Sequence, residues 1–444
     1  TSCETNNFDT DALDSFLDAS VALCRAVEID EDRVMPDPEL YRGRESIDLD
    51  LLDRGIDDIT PDNRHEWASS LESAIRDSGE ERLLTAEARY QDSDYELYQI
   101  HSNGFEGSRY ETQFWGYGDV SLRDEGDKRP SGGAVTGSHH WNRLEPAEDV
   151  AKRVLESARH RLGAAPIDTA VLPMVVENKT VGRLLRYLLA GLDGRAIQQK
   201  SSFLDEKRGE IVGSEALDIL DDPFVMGGFG SRLFDGEGIS AKKRPVFDKG
   251  VLRSFFINTY YGKKLGEKPT SGGSSNLVIT PGERDLKGLI SNVEKGVLVR
   301  GFIGGNSNPT TGDFSLGVFG TLIENGTLSR AVSEMNIAGN HLELWKKLTE
   351  AGSDVYPYND DGTREFLDGI DLKWGDVDAT LEMIRKIAFR EGVGDLAARG
   401  VKALSQAIGP ESASFAMHVK GHELAAHNCH ANPPRALCYA TAHR

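Results

Sequence analysis

The stretch from residue 201 to residue 333 limits the possible folds of this 444-residue chain more than any other feature. Short β-forming runs alternate there with glycine-containing turns, as in "VLRSFFINTYY", "SSNLVITPG" and "FSLGVFGTLIENG". Short runs bounded by glycine, asparagine and proline are typical of strands joined by tight turns. The sequence therefore predicts a mostly antiparallel β domain in this part of the chain.

The segments on either side of this block have other patterns. Residues 63–79 and 146–164 carry apolar residues at the spacing of one helix face, and residues 96–122 alternate like two paired strands around a turn. After residue 366, runs such as "DATLEMIRKIAFREG" again have helical spacing. The predicted fold class is α+β: an N-terminal domain of mixed α and β structure, then the β-rich domain, then an all-α fragment.

Charge and cysteine content argue against several classes of function. The formal net charge is -21, so the phosphate backbone of a nucleic acid would be repelled. The four cysteines lie near the two ends of the chain, which is no disulfide framework and predicts a cytoplasmic protein. No stretch approaches the run of about 18 apolar residues that a membrane helix needs. We therefore expect neither a nucleic acid nor a membrane as a partner.

Several strings resemble the TldD/PmbA family, and specifically its TldE (PmbA) branch. They lie at 201–210, 221–266, 272–283, 301–326 and 333–345. The resemblance covers residues 1 to about 358. It implies an N-terminal α+β domain over residues 1–165 and a β-rich C-terminal domain over residues 166–358. It also implies a complex of a TldD protein with a TldE protein that cleaves peptides, in which TldD holds the zinc.

In TldD proteins, the resemblance implies that zinc is bound through H-E-x-x-x-H on a helix that follows a strand. The comparable strand and helix here are "VLPMVVENKTVGRLLRYLLAG", and the expected histidine positions fall within "TVGRLLRYLL". The chain has no histidine between His160 and His341. Zinc needs histidine, cysteine or carboxylate ligands, normally three or four together. We therefore expect a subunit without a metal or other cofactor, not catalytic by itself, whose partners are a TldD-like subunit and a peptide substrate.

The polar loop inside "GFIGGNSNPTTGDFSLG" supplies the candidate site residues. They are Asn306, Asn308, Thr311, Gly312, Asp313 and Ser315. The resemblance implies that this loop lines the peptide cavity or the seam between the two subunits. The residues themselves also fit a turn-rich connection whose Asn, Thr and Asp side chains bond to their own backbone. Both interpretations stay open at this point.

Two smaller patterns have competing interpretations. Asp235 and Glu237 in "FDGEG" are two residues apart, which places both on one face of a strand and is compatible with acid–base chemistry. Turn chemistry is the commoner explanation of such a string. His139 and His140 are adjacent, so their side chains point apart, and we predict a surface loop rather than a metal site.

Residues from about 367 to 444 resemble a different family, the aldehyde ferredoxin oxidoreductases. The matching residues are His418, Val419, Lys420, Gly421 and Glu423, in a string that resembles H-V-K-G-x-E. Intact members of that family hold a tungsten or molybdenum pterin and a [4Fe–4S] cluster. A [4Fe–4S] cluster needs four thiolates as a rule, and the nearby cysteines are Cys429 and Cys438. We therefore expect neither cofactor in this chain.

The join between the two resemblances predicts a chimera. Residues 359–366 form the junction, the β-rich domain lacks its final strand, and residues 367–444 form a helical oxidoreductase fragment. An aldehyde ferredoxin oxidoreductase activity from the tail alone is the alternative function.

A second alternative is a zinc peptidase that uses the string "HELAAH" near the end of the chain. Its candidate metal ligands are His422, Glu423 and His427. On an α-helix two residues five apart lie about 140° from each other, which is poor geometry for joint ligation. The string also falls after the junction, in the oxidoreductase-like part. We therefore predict that these residues spell a motif the chain does not use.

Overall fold

The computed structural model describes residues 3–7, 9–356, 369–379, 413–420 and 423–430. The described N-terminal part contains three α-helices and three strands. They are α1 (Thr10–Ala26), α2 (Pro61–Arg76), β1 (Leu83–Ile100), β2 (Glu106–Leu122), β3 (Ser131–Ser138) and α3 (Ala147–Arg159). The two predicted helices and the predicted strand pair are all present. The Thr60 side chain and Asn63 form a capping box that fixes the start of α2.

The N-terminal sheet is antiparallel, in the order β1-β2-β3, and α2 and α3 cover one of its faces. Leu71 and Ile75 of α2 and Val150 and Val154 of α3 are completely buried against that face. A Cβ atom on Gly132 of β3 would lie 2.2 Å from the backbone nitrogen of Ala158. Glycine at this position therefore permits the close contact between the sheet and α3.

The C-terminal part begins with a strand and a helix and then becomes rich in strands. Its helices are α4 (Asn178–Ala190), α5 (Gly194–Gln198), α6 (Thr259–Leu265), α7 (Leu286–Ser291) and α8 (His341–Lys346). Its strands are β4 (Ala170–Val176), β5 (Ile219–Asp222), β6 (Arg244–Asp248), β7 (Val251–Leu252), β8 (Asn276–Ile279), β9 (Lys295–Ser307), β10 (Asp313–Glu324), β11 (Thr327–Asn340), β12 (Leu348–Tyr356) and β13 (Gly369–Ala379).

Two sheets organise the C-terminal part. The larger has six strands in the order β11-β10-β9-β4-β13-β12, with a further pairing of β11 to β13. The smaller has four strands in the order β7-β6-β5-β8. All pairings within them are antiparallel except that of β4 with β9. The predicted α+β class and the mostly antiparallel β domain are confirmed.

Helix α4 fills the core of this part. Val181, Leu184, Leu185 and Leu188 lie on one side of it and are essentially fully buried. Full burial of a side chain of this size contributes about 1.5–3 kcal/mol. Packing of this apolar face against the core therefore stabilises α4.

Strand β13 corrects the prediction for the residues after the junction. The sequence predicts that residues 367–444 form a helical fragment and that the β-rich domain lacks its final strand. Instead, β13 lies between β4 and β12 and pairs with both. The apolar residues Ile370, Leu372 and Trp374 alternate with the polar residues Asp371 and Lys373, which is the two-residue period of a strand. The resemblance to the second family predicts a helix for these residues, whereas the alternation predicts a strand.

The remaining described residues are two further strands, β14 (Ala413–Lys420) and β15 (Glu423–His430). They pair antiparallel, with Ala413 opposite His430 and Lys420 opposite Glu423. The prediction of an all-α fragment is therefore wrong for these residues, because an extended hairpin occupies them. The helices predicted between residues 380 and 412 lie outside the described residues. Within the described part of the chain, no helix is long and apolar enough to cross a membrane.

Candidate functional site

The hairpin of β9 and β10 brings the six candidate residues together. Asn306 is the partner of Ser315 across the two strands. Asn308, Thr311 and Gly312 lie in the turn between the strands, and Asp313 begins β10. The prediction that these residues belong to one polar loop thus agrees with their positions, whereas their role remains a prediction.

The polar side chains of this turn bond mainly to the turn itself. Asn308 Oδ1 accepts hydrogen bonds from the backbone N–H groups of Thr310 at 2.9 Å and Thr311 at 3.3 Å. Asp313 accepts one bond from the Thr311 hydroxyl at 2.8 Å and another from Asn340 Nδ2 at 2.9 Å. The bonds from Asn340 and Thr311 hold the pKa of Asp313 below its usual range. This arrangement matches the turn interpretation and keeps a carboxylate charged at the tip of the hairpin.

The turn is also fixed to the rest of the domain. The Phe203 N–H donates to the Pro309 carbonyl at 2.9 Å, and the His341 N–H donates to the Gly312 carbonyl at 2.8 Å. Gly312 has a φ of 81°, and a Cβ atom there would lie 3.1 Å from the Phe203 ring. The hairpin tip therefore presents a fixed polar surface.

His341 is a residue of this site that sequence reasoning missed. Its ring is fully buried, and the Phe203 ring stacks on it with centroids 5.5 Å apart. Trp345 Nε1 donates to its Nδ1 at 3.3 Å, so the ring proton is on Nε2, which donates to the Ser307 hydroxyl at 3.1 Å. Burial lowers the pKa of His341 to about 4, so the ring is neutral near pH 7. The spacing of His341 and Trp345, four residues apart at the start of a helix, is the sequence signal for this contact.

Replacing Asn308 by alanine tests the turn interpretation. The two N–H groups that bond to Asn308 would lose their protein partner, but both are near solvent. We expect the free energy of unfolding to fall by about 1 kcal/mol, as for the loss of a helix cap. Urea denaturation measures this, with Asn306→Ala in the adjacent strand as the control. Equal stability of Asn308→Ala and wild type would contradict the assignment.

The two carboxylates of "FDGEG" have structural partners. Asp235 Oδ1 accepts from the N–H groups of Glu237 and Ile239, both at 2.9 Å. Glu237 Oε2 accepts from the N–H group of Thr259 at 2.8 Å and from its hydroxyl at 2.9 Å, at the start of α6. The turn interpretation therefore accounts for the Oδ1 bonds of Asp235, whereas Glu237 binds the first residue of α6.

The adjacent histidines are not on a surface loop as predicted. His139 is 1% exposed, and its Nδ1 donates to the Thr112 carbonyl at 2.7 Å. His140 lies 2.8 Å from the Asp50 carboxylate through its Nε2. The bonds to Thr112 of β2 and the Phe229 ring, whose centroid lies 4.9 Å from that of His139, hold His139 in the interior.

Comparison with known proteins gives the family. A model of the PmbA/TldA metallopeptidase C-terminal domain matches residues 169–367, and one of the central domain matches residues 54–162. A solved structure of a protein described as a modulator of DNA gyrase, from Bacteroides thetaiotaomicron, is 37% identical with a TM-score of 0.80. The alignment covers 85% of this chain and 84% of that one. The chain belongs to the PmbA/TldD family.

Two further members are similar along most of their length. The metalloprotease PmbA of Escherichia coli O157:H7 is 25% identical over 80% of this chain and 78% of that protein. The structure of TldE from Thermococcus kodakarensis has a TM-score of 0.74 at 20% identity, and the match covers 85% of this chain and 86% of that one. The latter similarity shows the common fold.

The C-terminal part of the chain also matches a second family model. The model describes domains 2 and 3 of aldehyde ferredoxin oxidoreductase and matches residues 339–444. It overlaps the PmbA/TldA match over residues 339–367. The second predicted resemblance is therefore confirmed, and its match begins earlier than we predicted, before β12.

Helix α4 is the helix on which the PmbA/TldD resemblance implies the zinc ligands of TldD proteins. Residues 178–190 read "NKTVGRLLRYLLA" and include no histidine, cysteine, aspartate or glutamate. Arg183 of this helix donates to the Phe302 carbonyl at 2.9 Å. The described residues also contain no group of three or more His, Cys, Asp or Glu side chains that could hold a metal ion. The residues present at α4 do not fit zinc.

A buried charged cluster lies at the start of α4 instead. Arg300 Nη1 donates to Glu177 Oε1 at 2.6 Å, and the two side chains are only 8% and 10% exposed. Asp371 accepts the N–H group of Asn178 at 2.7 Å. The pKa of Asp371 is raised to about 7, mainly by burial; the bond from Asn178 lowers it, and the charge of Glu177 raises it. We call Glu177, Arg300 and Asp371 the α4 cluster.

The three residues of the α4 cluster come from the end of β4, from β9 and from β13. No local pattern joins residues that far apart in sequence, so sequence reasoning missed them. One signal was present: Asp371 is an acidic residue between apolar neighbours in a strand that is buried on both faces.

Two of the three candidate zinc ligands in the string "HELAAH" lie within the described residues. Glu423 and His427 lie on β15, so their backbone is extended rather than helical. His422 lies outside the described residues. The zinc motif therefore remains a prediction without a described geometry.

Proposed function

We propose that this chain is the TldE-like subunit of a two-subunit peptidase, and that a TldD-like partner supplies the zinc. The observation that carries the proposal is α4. In a family whose relatives are named metalloproteases, the helix where the ligands are expected has apolar and basic side chains and no metal donor. A subunit of this kind contributes binding surface and stability to the complex, while the metal chemistry takes place on its partner.

The hairpin of β9 and β10 supports a role at the seam or in the peptide cavity. Its tip is fixed by Phe203 and His341, and it presents the charged Asp313 carboxylate and neighbouring amide and hydroxyl groups. A fixed polar surface of this kind suits recognition of a polypeptide backbone. The proposed assembly is a cytoplasmic heterodimer that cleaves peptides.

Co-expression with a TldD-like protein tests the proposal. We expect the two chains to elute together, peptide cleavage to require both, and zinc to be far below one ion per chain in this subunit alone. Asn308→Ala and Thr311→Ala in the complex test the hairpin, with Asn292→Ala at an exposed position outside it as the control. If this chain stays monomeric beside its partner and adds nothing to cleavage, or cleaves peptides alone with bound zinc, the proposal is wrong.

The match to aldehyde ferredoxin oxidoreductase favours a second proposal, that the chain joins sequences of two families. Because β13 is part of the six-stranded sheet, we place the end of the first domain at or beyond residue 379. We propose that the rest adds no oxidoreductase activity. Sequencing of the source DNA across codons 339–380 tests the join, and iron, tungsten or molybdenum in the purified protein would contradict the second part.

A further inference from the structure

A small polar cavity lies between β5, the start of β6 and the segment 269–275. Its volume is about 120 Å³. That equals roughly four water molecules at about 30 Å³ each, which is enough for an ion of four or five heavy atoms. We call it the Ser271 cavity. It is remote in sequence from the β9–β10 hairpin and from the α4 cluster.

The wall of the Ser271 cavity carries more basic than acidic groups. Arg232, Lys242 and Arg244 line it, and Asp221 is the acidic residue among the lining residues. The formal net charge of the whole chain is -21, so a local excess of basic groups is unusual for this protein. Such an excess attracts an anion.

Asp221 is already used by other groups. It accepts from the N–H group of Ser275 at 2.7 Å, from the Ser275 hydroxyl, and from Arg244 Nε at 2.8 Å. Arg244 also donates to the carbonyl groups of Thr270 and of Gly273, the latter at 3.1 Å. Asp221 and Arg244 therefore neutralise each other, and their hydrogen bonds fix the segment 270–275.

Arg232 and Lys242 are left with capacity to bind an anion. Arg232 uses Nη2 to donate to the Gly273 carbonyl at 2.8 Å, which is one of its five N–H groups. Burial lowers the pKa of Arg232, and Arg244 and Arg109 lower it further, whereas Asp221 and Asp235 raise it. Lys242 has an exposed side chain, and no carboxylate among the described residues forms an ion pair with it.

Ser271 supplies the observation that points to a ligand. Its hydroxyl oxygen is buried and has no hydrogen-bond partner among the described residues. The other hydroxyl groups on the wall do have partners: Ser240 donates to the Tyr41 carbonyl at 2.8 Å and Thr270 to the Phe255 carbonyl at 2.6 Å. Ser271 also has a φ of 81°, which a residue with a side chain rarely adopts. Both features cost free energy, and a ligand that accepts from the hydroxyl would offset part of it.

We propose that the Ser271 cavity binds a small oxyanion, either phosphate or a carboxylate. The anion accepts hydrogen bonds from Arg232, Lys242 and the Ser271 hydroxyl. Guanidinium and ammonium groups form their strongest hydrogen bonds with such oxygens. This site does not depend on the proposed subunit role.

Thermal unfolding of the purified full chain tests the site with inorganic phosphate as the probe. Phosphate is titrated against sodium chloride of equal ionic strength, and acetate is titrated in a parallel series. We expect a saturable rise in Tm of about 2–4 °C. A response to phosphate without one to acetate assigns phosphate, and a response to acetate assigns a carboxylate ligand. No response beyond that to chloride in either series overturns the proposal.

Two variants localise the response. Ser271→Gly removes the hydroxyl and suits the positive φ, so it should raise Tm in chloride while it weakens the anion response at least about tenfold. Lys242→Gln should weaken the response by a similar factor. The matched control is Lys243→Gln, because Lys243 does not line the cavity and pairs with Asp222 at 2.7 Å. An undiminished response in both Ser271→Gly and Lys242→Gln would also overturn the proposal.

Discussion

Replacing Trp374 by alanine is expected to lower the free energy of unfolding by about 3–5 kcal/mol, the range for deleting a fully buried aromatic side chain. Trp374 lies on β13 and is 0% exposed. Its ring meets that of Trp345 with centroids 5.5 Å apart at 60°. The substitution would leave a large cavity between β13 and α8, which the surrounding strands close only in part. Urea denaturation followed by far-ultraviolet circular dichroism measures the loss.

Trp374→Phe is the matched control. The indole nitrogen of Trp374 is buried without a hydrogen-bond partner among the described residues, so phenylalanine removes no bond. We expect a loss of about 1 kcal/mol for this smaller change in volume. If Trp374→Ala leaves the urea midpoint unchanged, residues 369–379 are not a strand of this sheet, and the domain would end before them as first predicted.

The contrast between α4 and β13 shows what the sequence alone specifies. The apolar positions of α4 recur at helical spacing, so its existence and its buried face follow from a local pattern. Residues 370–374 of β13 alternate between apolar and polar side chains with a period of two, which equally predicts a strand. The resemblance to the second family predicts a helical fragment for the same residues, and the structure agrees with the period instead. For residues 370–374 the local physical pattern predicts the strand correctly.

The site shows the opposite limit. The hairpin that carries Asn306 to Ser315 follows from a continuous string, so its residues could be named in advance. Two partners fix the tip of this hairpin. Phe203 precedes it by about a hundred residues, and His341 follows it after the strands β10 and β11. No periodicity encodes contacts of that kind, because they arise only when the strands of the sheet are placed in order.

Replacing Asp371 by asparagine is expected to have a pH-dependent effect on stability. The free energy of unfolding of the variant, relative to that of the wild type, should be higher at neutral pH than at acid pH. Burial raises the pKa of Asp371 from 3.8 to about 7, so the native state binds a proton more tightly than the unfolded chain does. The stability from that proton is fully present below pH 4 and is lost as pH rises through about 7. At about 1.36 kcal/mol for each pH unit, the loss reaches up to about 4 kcal/mol. Asparagine does not titrate, so the variant does not lose this stability as the pH rises.

Other titrating groups near Asp371 also change the stability with pH. The prediction therefore concerns the free energy of unfolding of Asp371→Asn minus that of the wild type. The groups that face Asp371 are Glu177, Asp354 and Arg300, with the N–H group of Asn178. Burial, Arg300 and Lys179 lower the pKa of nearby His160 to about 4, so the stability linked to that histidine is lost as pH falls from 6.5. This trend opposes that of Asp371 in the wild type. It is common to both proteins to a first approximation and largely cancels when one free energy is subtracted from the other.

The measurement is the free energy of unfolding of Asp371→Asn minus that of the wild type, at several values of pH between 4 and 8. We expect this difference to rise with pH, whatever constant offset the altered bond to Asn178 introduces. Asp376→Asn is the matched control, because it makes the same change at an exposed position of the same strand, and its difference should be flat. A flat curve for Asp371→Asn would mean that this carboxyl titrates normally. Asp371 would then have access to water, and β13 would not close the sheet over the start of α4.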